Sequence, residues 1–498
     1  MSNKPESIGQ KSLRAIKWNY LGTIARAFAQ IFAQIAMARL LGPDIVGSFG
    51  YAILLYGVLG FLIEQGLGWA IVQSNAISER ELRIVFARVM LVALLCSAGT
   101  FICADLLAAA MGAPAIAQTI RWFAPAYVFA GLLVITHAQL KKDLRFKEMQ
   151  IAQTVSYVIA YPIAGVLLAA AGAGVASLIV AWILQAALAF TLMWRYAPHS
   201  FAMSNPFSRL SLTGYGRDIT LINIVNWAVD NAANAFIARF HGPAALGLYN
   251  TSLNLVRTPA HHLVVTLQQV IFPTAAAVKG DIALLARLFR TALAVVLFIA
   301  IPIFGFAAMA SQPIIAVLLG QKWLAAAPLL PPIALAMIPH IVALISGSTL
   351  SGRGDQRIEL ASQIIAATVL VTAFLALPLE SVVAVCWLFL GIYLLRAGFL
   401  LVMVARRIGF AWSALWPVTR GPALVLLCTF AIFEFAISRA GWPPYVVVSA
   451  AGATLLLVQL AAIAALPRFF LDHSVLSILA RYAPNSELVR LLLGRAGL

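Results

Sequence analysis

Apolar residues run in long blocks along almost the whole chain, and short polar or charged stretches separate the blocks. Each block holds about 20 residues, which at roughly 1.5 Å per residue lets an α-helix cross a hydrocarbon core of about 30 Å. Strands of a membrane β-barrel would instead alternate in polarity over segments of about ten residues. The pattern therefore predicts an all-α polytopic membrane protein with about 14 transmembrane helices. The predicted spans are 18–38, 46–72, 89–110, 117–138, 149–170, 173–194, 219–238, 245–271, 291–311, 324–347, 358–378, 381–404, 421–437 and 443–466.

Composition excludes a soluble globular protein. The 498 residues are 62% hydrophobic and only 10% charged, and the mean hydropathy is +0.95, which leaves too little polar surface for water. All four cysteines fall in predicted spans, where a thiol packs as a small apolar group. We therefore expect no disulfide, no metal site and no cofactor. The cysteines are Cys96, Cys103, Cys386 and Cys428.

A ten-residue loop occurs twice in the chain. Residues 38–47 read ARLLGPDIVG and residues 238–247 read ARFHGPAALG, with Ala, Arg, Gly, Pro and Gly in register. The copies follow spans 1 and 7, so the repeat unit is six helices. Because six is an even number, we expect two parallel six-helix lobes related by an axis along the membrane normal. The alternative is that a common Gly-Pro helix stop arose twice by chance.

The repeat divides the chain into domains. The N-lobe is predicted at 18–194 (helices 1–6) and the C-lobe at 219–404 (helices 7–12), with a cytoplasmic inter-lobe linker at 195–218. Two extra C-terminal helices, 13 and 14, are predicted at 405–466. A basic N-terminal segment at 1–17 and a C-terminal tail at 467–498 complete the chain.

The distribution of Lys and Arg predicts the orientation. With the N-terminus inside, 26 of the 34 Lys and Arg residues fall in inside segments, 4 fall in outside loops and 4 fall in spans. The positive-inside rule then places both termini in the cytoplasm. The net charge of +17 lies where anionic lipid of the inner leaflet attracts cations. We therefore expect membrane lipid, and no nucleic acid, as the partner of this charge.

Polar residues recur at helical spacing inside three predicted spans, which places each set on one helix face. Polar groups that faced lipid would be costly, so these faces are expected to line a protein interior or a water-filled cavity. The stripes in spans 1 and 7 occupy equivalent positions of the repeat. The three sets are Arg26, Gln30 and Gln34 in span 1, Asn226, Asp230 and Asn234 in span 7, and Asn250, Asn254, Arg257 and His261 in span 8.

Two of these residues are arginines at similar depth. Arg26 and Arg257 each lie roughly 18 to 20 Å from the outer end of their helix, at about 1.5 Å per residue. A central arginine costs about 2.5 to 3.5 kcal/mol on insertion scales, so the pair predicts an anion held between the lobes. The alternative for Arg26 is snorkelling to the inner interface. For Arg121 and Arg396, snorkelling or a structural ion pair is the better explanation.

Three groups are candidates for ion coupling. Asp230 is a carboxylate that we expect near the middle of the membrane, and such a group can carry a proton. Glu64, near the inner end of span 2, is either a coupling site or an interfacial carboxylate. His261 is either a coupling group or a hydrogen-bonded histidine on a polar face.

Four segments carry a resemblance to a known family. They read ARLLGPDIVGSFGYA, FLIEQGLGWAIVQ, LKKDLRFKEMQIAQ and VIFPTAAAVKGD. Over residues 7–407 the chain resembles the polysaccharide transporters, the Wzx-type flippases of the multidrug, oligosaccharidyl-lipid and polysaccharide exporter superfamily. The resemblance implies two lobes like those of the multidrug exporters and a location in the bacterial inner membrane.

The resemblance also implies a substrate, an oligosaccharide linked to undecaprenyl diphosphate that moves from the cytoplasmic to the periplasmic leaflet. A cationic cavity holds the diphosphate in that family, and its arginines match Arg26 and Arg257. A polysaccharide polymerase and co-polymerase are further candidate partners. The chain shows no GxxxxGK[ST], HExxH or GxSxG motif and no long outer loop, so we do not expect an enzyme. The alternative is a cation-coupled multidrug antiporter of the same superfamily.

Overall fold

The computed structural model describes residues 28–74, 77–208, 213–277 and 281–465. Within these ranges the backbone is helical or in turns, without a strand. The helices of the first half are α1 (Phe28–Leu40), α2 (Pro43–Glu64), α3 (Leu67–Gln73), α4 (Glu79–Ile102), α5 (Ala104–Ala110), α6 (Ala117–Phe123), α7 (Ala126–Lys142), α8 (Phe146–Val158), α9 (Val166–Ala170) and α10 (Val175–Tyr196). The remaining helices are α11 (Thr213–Ala277), α12 (Ile282–Met309), α13 (Ser311–Leu318), α14 (Leu330–Arg353), α15 (Gln356–Ala376), α16 (Val382–Ile408), α17 (Leu415–Ile432) and α18 (Pro444–Ala465).

The described residues contain 10 helices that are long and apolar enough to cross a membrane, or 11 if one bent pair forms a single span. Each of the ten falls on a span predicted from the hydropathy pattern. The bent pair, Pro114–Phe123 with Ala126–Lys142, turns by 42° at Pro125, as expected where a proline cannot donate its backbone hydrogen bond. The protein is an all-α polytopic membrane protein, and the total of fourteen spans stays a prediction.

Local chemistry sets several helix ends. The α4 helix begins with a capping box, in which the Ser78 hydroxyl accepts from the Glu81 N–H and the Glu81 carboxylate accepts from the Ser78 N–H. The single span predicted at 46–72 is wrong in one respect, because the helix breaks after Glu64. Gln65 and Gly66 have φ values of 50° and 65°, and this left-handed turn starts the short helix α3.

By backbone contacts the chain forms two compact units, one ending at Asn250 and the next beginning at Thr251. In the first unit, apolar side chains of α2 and α3 pack against α4 and α7 around Ile63, Leu67, Val89 and Tyr127. The second unit is organised around α14, which is mostly buried and packs against α12 and α16. The lobe boundary at 195–218 stays a prediction.

Candidate functional site

The two copies of the repeated loop are in contact with each other. A Cβ added to Gly47 would collide with the carbonyl oxygen of Pro243, and a Cβ added to Gly247 would collide with that of Pro43. This reciprocal pattern is the one expected for two surfaces related by a local two-fold axis. Gly242, the fifth residue of the second copy, has a φ of 82° and breaks the helical backbone of α11.

The α2 helix packs along α11 on both sides of the break at Gly242. The Tyr51 hydroxyl donates to the Ala238 carbonyl, and the Trp227 indole lies so close to Gly57 that no Cβ fits there. The amide of Asn250 lies against Gly50, with Nδ2 3.2 Å from the position of an added Cβ. Small residues on α2 therefore permit a close helix contact, and they place Asn250 at it.

The polar stripes of spans 1 and 7 are only partly within the described residues. Arg26 lies outside them, and so does the side chain of Asn226. Gln30, Gln34 and Asn234 are half-buried, whereas Asp230 is exposed at the surface of the chain.

The amide of Asn231 also belongs to the polar surface formed by the stripe of span 7. Asn234 Nδ2 donates to Asn231 Oδ1 at 3.2 Å, and Asn231 Nδ2 donates to the Trp227 carbonyl at 3.0 Å. The helical spacing did not single out Asn231, since it lies one position beyond Asp230. It belongs to the same polar surface of α11.

The stripe of span 8 presents a basic face in the second unit. Asn254, Arg257 and His261 are all exposed on α11 at spacings of three and four residues. Arg257 and His261 are within electrostatic range of His340 on α14, and so is Arg396 on α16. We call Arg257, His261, His340 and Arg396 the basic cluster. The sequence pattern identified its α11 members, whereas His340 was missed.

A buried carboxylate balances one member of the cluster. Arg396 Nη2 donates to Glu359 Oε1 in an ion pair whose side chains are 12% and 20% exposed, and Arg396 Nε donates to the Ser362 hydroxyl at 3.4 Å. Gly347 makes room for the carboxylate, because a Cβ there would meet Glu359 Oε2. The structural ion pair considered for Arg396 is therefore present, and so is the one for Arg121, whose partner is Asp105 at 2.6 Å.

Glu64 lies in a separate pocket of about 440 Å³ in the first unit. Residues of α2, α3 and α7 line it, including Tyr56, Trp69 and His137. Lys141 also lines it, with Nζ 4.9 Å from the centroid of the Trp69 ring. The pocket thus holds one carboxylate, one ammonium group and several aromatic rings.

The segment after α10 is fixed to the first unit. Arg88 donates from Nε to the Pro206 carbonyl at 2.9 Å and from Nη2 to the Ser208 carbonyl at 3.0 Å. His199 packs among aromatic rings, 5.3 Å from Phe86 and 5.5 Å from Phe201 between centroids. Burial in this apolar setting lowers the pKa of His199 below its usual value, because the charged imidazolium is desolvated.

Comparison with known sequences decides the family. The sequence model of the family described as "Polysaccharide biosynthesis protein" matches residues 36–328, more than half of the chain. The chain belongs to this family. The chain is 23% identical over 332 residues to the lipopolysaccharide biosynthesis protein WzxC of Escherichia coli, covering 65% of this chain and 66% of that protein. It is 24% identical over 360 residues to the succinoglycan biosynthesis transport protein ExoT of Rhizobium meliloti, covering 68% and 70%.

The same fold is present in solved structures of transporters. The lipid II flippase MurJ in an inward closed conformation superposes with a TM-score of 0.75 at 12% identity, covering 90% of this chain and 98% of that one. A multidrug resistance MATE family transporter in an inward-facing conformation gives a TM-score of 0.53 at 14% identity, covering 77% and 94%. This polysaccharide biosynthesis protein is thus a multi-pass membrane protein with the fold that these solved transporters share.

Proposed function

We propose that the protein is a flippase that moves an undecaprenyl-diphosphate-linked oligosaccharide from the cytoplasmic to the periplasmic leaflet by alternating access. The basic cluster is the observation that carries this proposal. An arginine that faced lipid would cost about 2.5 to 3.5 kcal/mol at the bilayer centre, so the exposed side chain of Arg257 is best explained by an aqueous cavity. A diphosphate suits such a site, because its oxygens accept charge-assisted hydrogen bonds from guanidinium groups.

The family and the fold support the same role. Relatives are named for lipopolysaccharide biosynthesis and succinoglycan transport, and MurJ is named as a lipid II flippase. Under this proposal Arg26 and Arg257 bind the diphosphate. The amides of Gln30, Gln34, Asn226, Asn234, Asn250 and Asn254 are then available for sugar hydroxyl groups. The lipid tail stays in the bilayer while the head group crosses.

Under the same proposal, acidic groups of the first unit couple transport to the movement of a proton or a cation. Asp230 and Glu64 are the candidates, with His261 of the second unit as a weaker one. Glu64 lies within electrostatic range of Lys141, in a pocket that also holds His137. A cation or a proton taken up there would compensate the carboxylate.

One observation favours the rival, a cation-coupled multidrug antiporter. The Glu64 pocket combines a carboxylate with aromatic rings, as a site for an organic cation would. Lys141 and His137 in the same lining oppose a cationic substrate. The basic cluster of the second unit opposes it more strongly, since like charges repel.

Deletion of the gene and complementation with wild-type protein test the proposal. We expect the deletion strain to accumulate radiolabelled undecaprenyl-diphosphate oligosaccharide in the inner leaflet, and complementation to restore its exposure in the outer leaflet. Drug susceptibility is measured in the same strains. If the deletion strain keeps the wild-type lipid distribution and becomes more susceptible to drugs, the flippase proposal is wrong and the antiporter is favoured.

A further inference from the structure

His340 occupies an unusual position in the second unit. Its ring packs on Tyr393 of α16, with the centroids 4.7 Å apart and the planes inclined at 49°. The ring is only partly exposed, and its Nδ1 atom is buried with no hydrogen-bond partner among the described residues. A buried polar atom without a partner is costly, roughly 1 to 3 kcal/mol, so the residue needs an explanation beyond packing.

The charges around His340 identify the kind of partner. Arg257, His261 and Arg396 are within electrostatic range, and the Glu359 carboxylate compensates only Arg396. Arg257 makes no ion pair with any described residue, and His261 is followed by another histidine, His262, at 6.0 Å between ring centroids. An uncompensated cation beside imidazole rings attracts an anion, not a second cation.

The neighbouring helices hold His340 in place. Glu359 and Arg396 tie α15 to α16, and the small residue Gly347 lets α14 approach that ion pair. Tyr393 lies one helical turn before Arg396, so the residue that packs on His340 is held by the same helix that carries the ion pair. The imidazole therefore packs on a helix that this ion pair holds against α15.

We propose that His340 binds an anionic oxygen of the transported head group, beside Arg257 and His261. This inference rests on the proposed function and extends it to a residue that the sequence did not single out. The oxygen belongs either to the diphosphate or to the carboxylate of an acidic sugar. Both are acceptors for an imidazole N–H, and both suit the positive charge of Arg257.

Binding of undecaprenyl diphosphate to the full-length protein in lipid nanodiscs tests the inference. If the bound oxygen belongs to the diphosphate, we expect His340→Ala to weaken this binding about tenfold, the effect of losing one hydrogen bond to a charged group. If it belongs to a sugar carboxylate, the binding of undecaprenyl diphosphate should not change. His340→Gln keeps an N–H donor and should lose less. His241→Gln is the matched control, because His241 also has a buried ring nitrogen without a partner but lies outside the basic cluster. Uncharged undecaprenol should bind all variants equally.

Two soluble competitors distinguish the sources of the oxygen. If His340 binds a phosphate oxygen, His340→Ala should weaken competition by inorganic diphosphate; if it binds a sugar carboxylate, the same change should weaken competition by glucuronate. The double variant that combines Arg257→Ala with His340→Ala should lose affinity by a smaller factor than the product of the two single-variant factors, because both residues bind the same ligand.

The outcomes separate the two proposals. Wild-type protein that fails to bind undecaprenyl diphosphate would overturn the proposed function, and the inference with it. Wild-type binding together with unchanged binding and competition in His340→Ala would overturn the inference alone. If His340→Ala does not fold, His340→Leu carries the same comparison, because leucine fills much of the space of the ring and has no N–H donor.

Discussion

Gly47 and Gly247 hold equivalent positions in the repeated loop, and each lies against the proline carbonyl of the other copy. The shared Gly-Pro pattern is therefore explained by contact as well as by helix termination. A repeat that arose by chance would not require glycine at both reciprocal positions.

This contact predicts a specific sensitivity. Gly47→Ala and Gly247→Ala should each destabilise the protein by about 1 to 3 kcal/mol, because the methyl group has no space beside a backbone carbonyl. Gly42→Ala is the control in the same loop, since a Cβ at Gly42 meets nothing within 4 Å and its φ is −93°. Thermal unfolding in detergent should show a lower midpoint for the first two variants, and equal midpoints for all three would contradict the contact.

Arg257 is predicted to contribute directly to substrate affinity. Arg257→Ala should cost about 1.5 to 3 kcal/mol, or roughly ten- to a hundredfold in affinity. Arg257→Lys should rescue only in part, because a lysine lacks the planar fork that donates two parallel hydrogen bonds. Arg439→Ala is the control, since Arg439 is exposed and packs on Phe435. The measurement is inner-leaflet accumulation of lipid-linked oligosaccharide at matched expression, and normal transport by Arg257→Ala would refute the anion site.

The ion pair of Arg396 and Glu359 should matter more for stability than the pair of Arg121 and Asp105. Removal of one partner of a buried pair costs about 3 to 5 kcal/mol, because the other charge is left uncompensated. The Asp105 side chain is 75% exposed, and exposed pairs contribute only about 0 to 1 kcal/mol. Unfolding midpoints of Arg396→Ala and Arg121→Ala provide the comparison. Equal losses would show that burial does not separate the two pairs.

The segment 197–208 should respond to pH through His199. Its pKa is lowered in the folded state, so the unfolded segment binds the proton more readily. The packing of His199 is then fully stabilising above the unfolded pKa of about 6.5, and it weakens as the pH falls below that value. Hydrogen exchange, corrected for intrinsic rates, should increase in this segment from pH 7.5 to pH 5.5. The same comparison in His199→Gln should show no such change, and a pH response of equal size in this variant would exclude His199 as the cause.

Coupling through Asp230 can be tested by a neutral replacement. If the carboxylate carries a proton, Asp230→Asn should abolish the pH dependence of transport while the protein stays in the membrane. Glu64→Gln gives the parallel test for the pocket of the first unit. Retention of pH dependence in Asp230→Asn would reduce that residue to a structural role.

The sequence by itself determined the membrane class, the repeated loop and the approximate positions of the ten long apolar helices among the described residues. In a bilayer every backbone polar group must be satisfied within the segment, so apolar length alone specifies a helix. The spacing of Asn254, Arg257 and His261 likewise placed them on one face, and the structure shows that face exposed.

Only the tertiary structure decided which faces meet. In the sequence His340 is a lone histidine in an apolar run. That it comes within electrostatic range of Arg257 depends on how α14 packs against other helices. The ion pair of Glu359 and Arg396 joins residues of two helices that lie 37 positions apart in the sequence. The contact of Gly47 with Pro243 joins loops about two hundred positions apart. Helical periodicity gives the direction of a side chain around its own axis but not its partner, because the partner is set by helix packing.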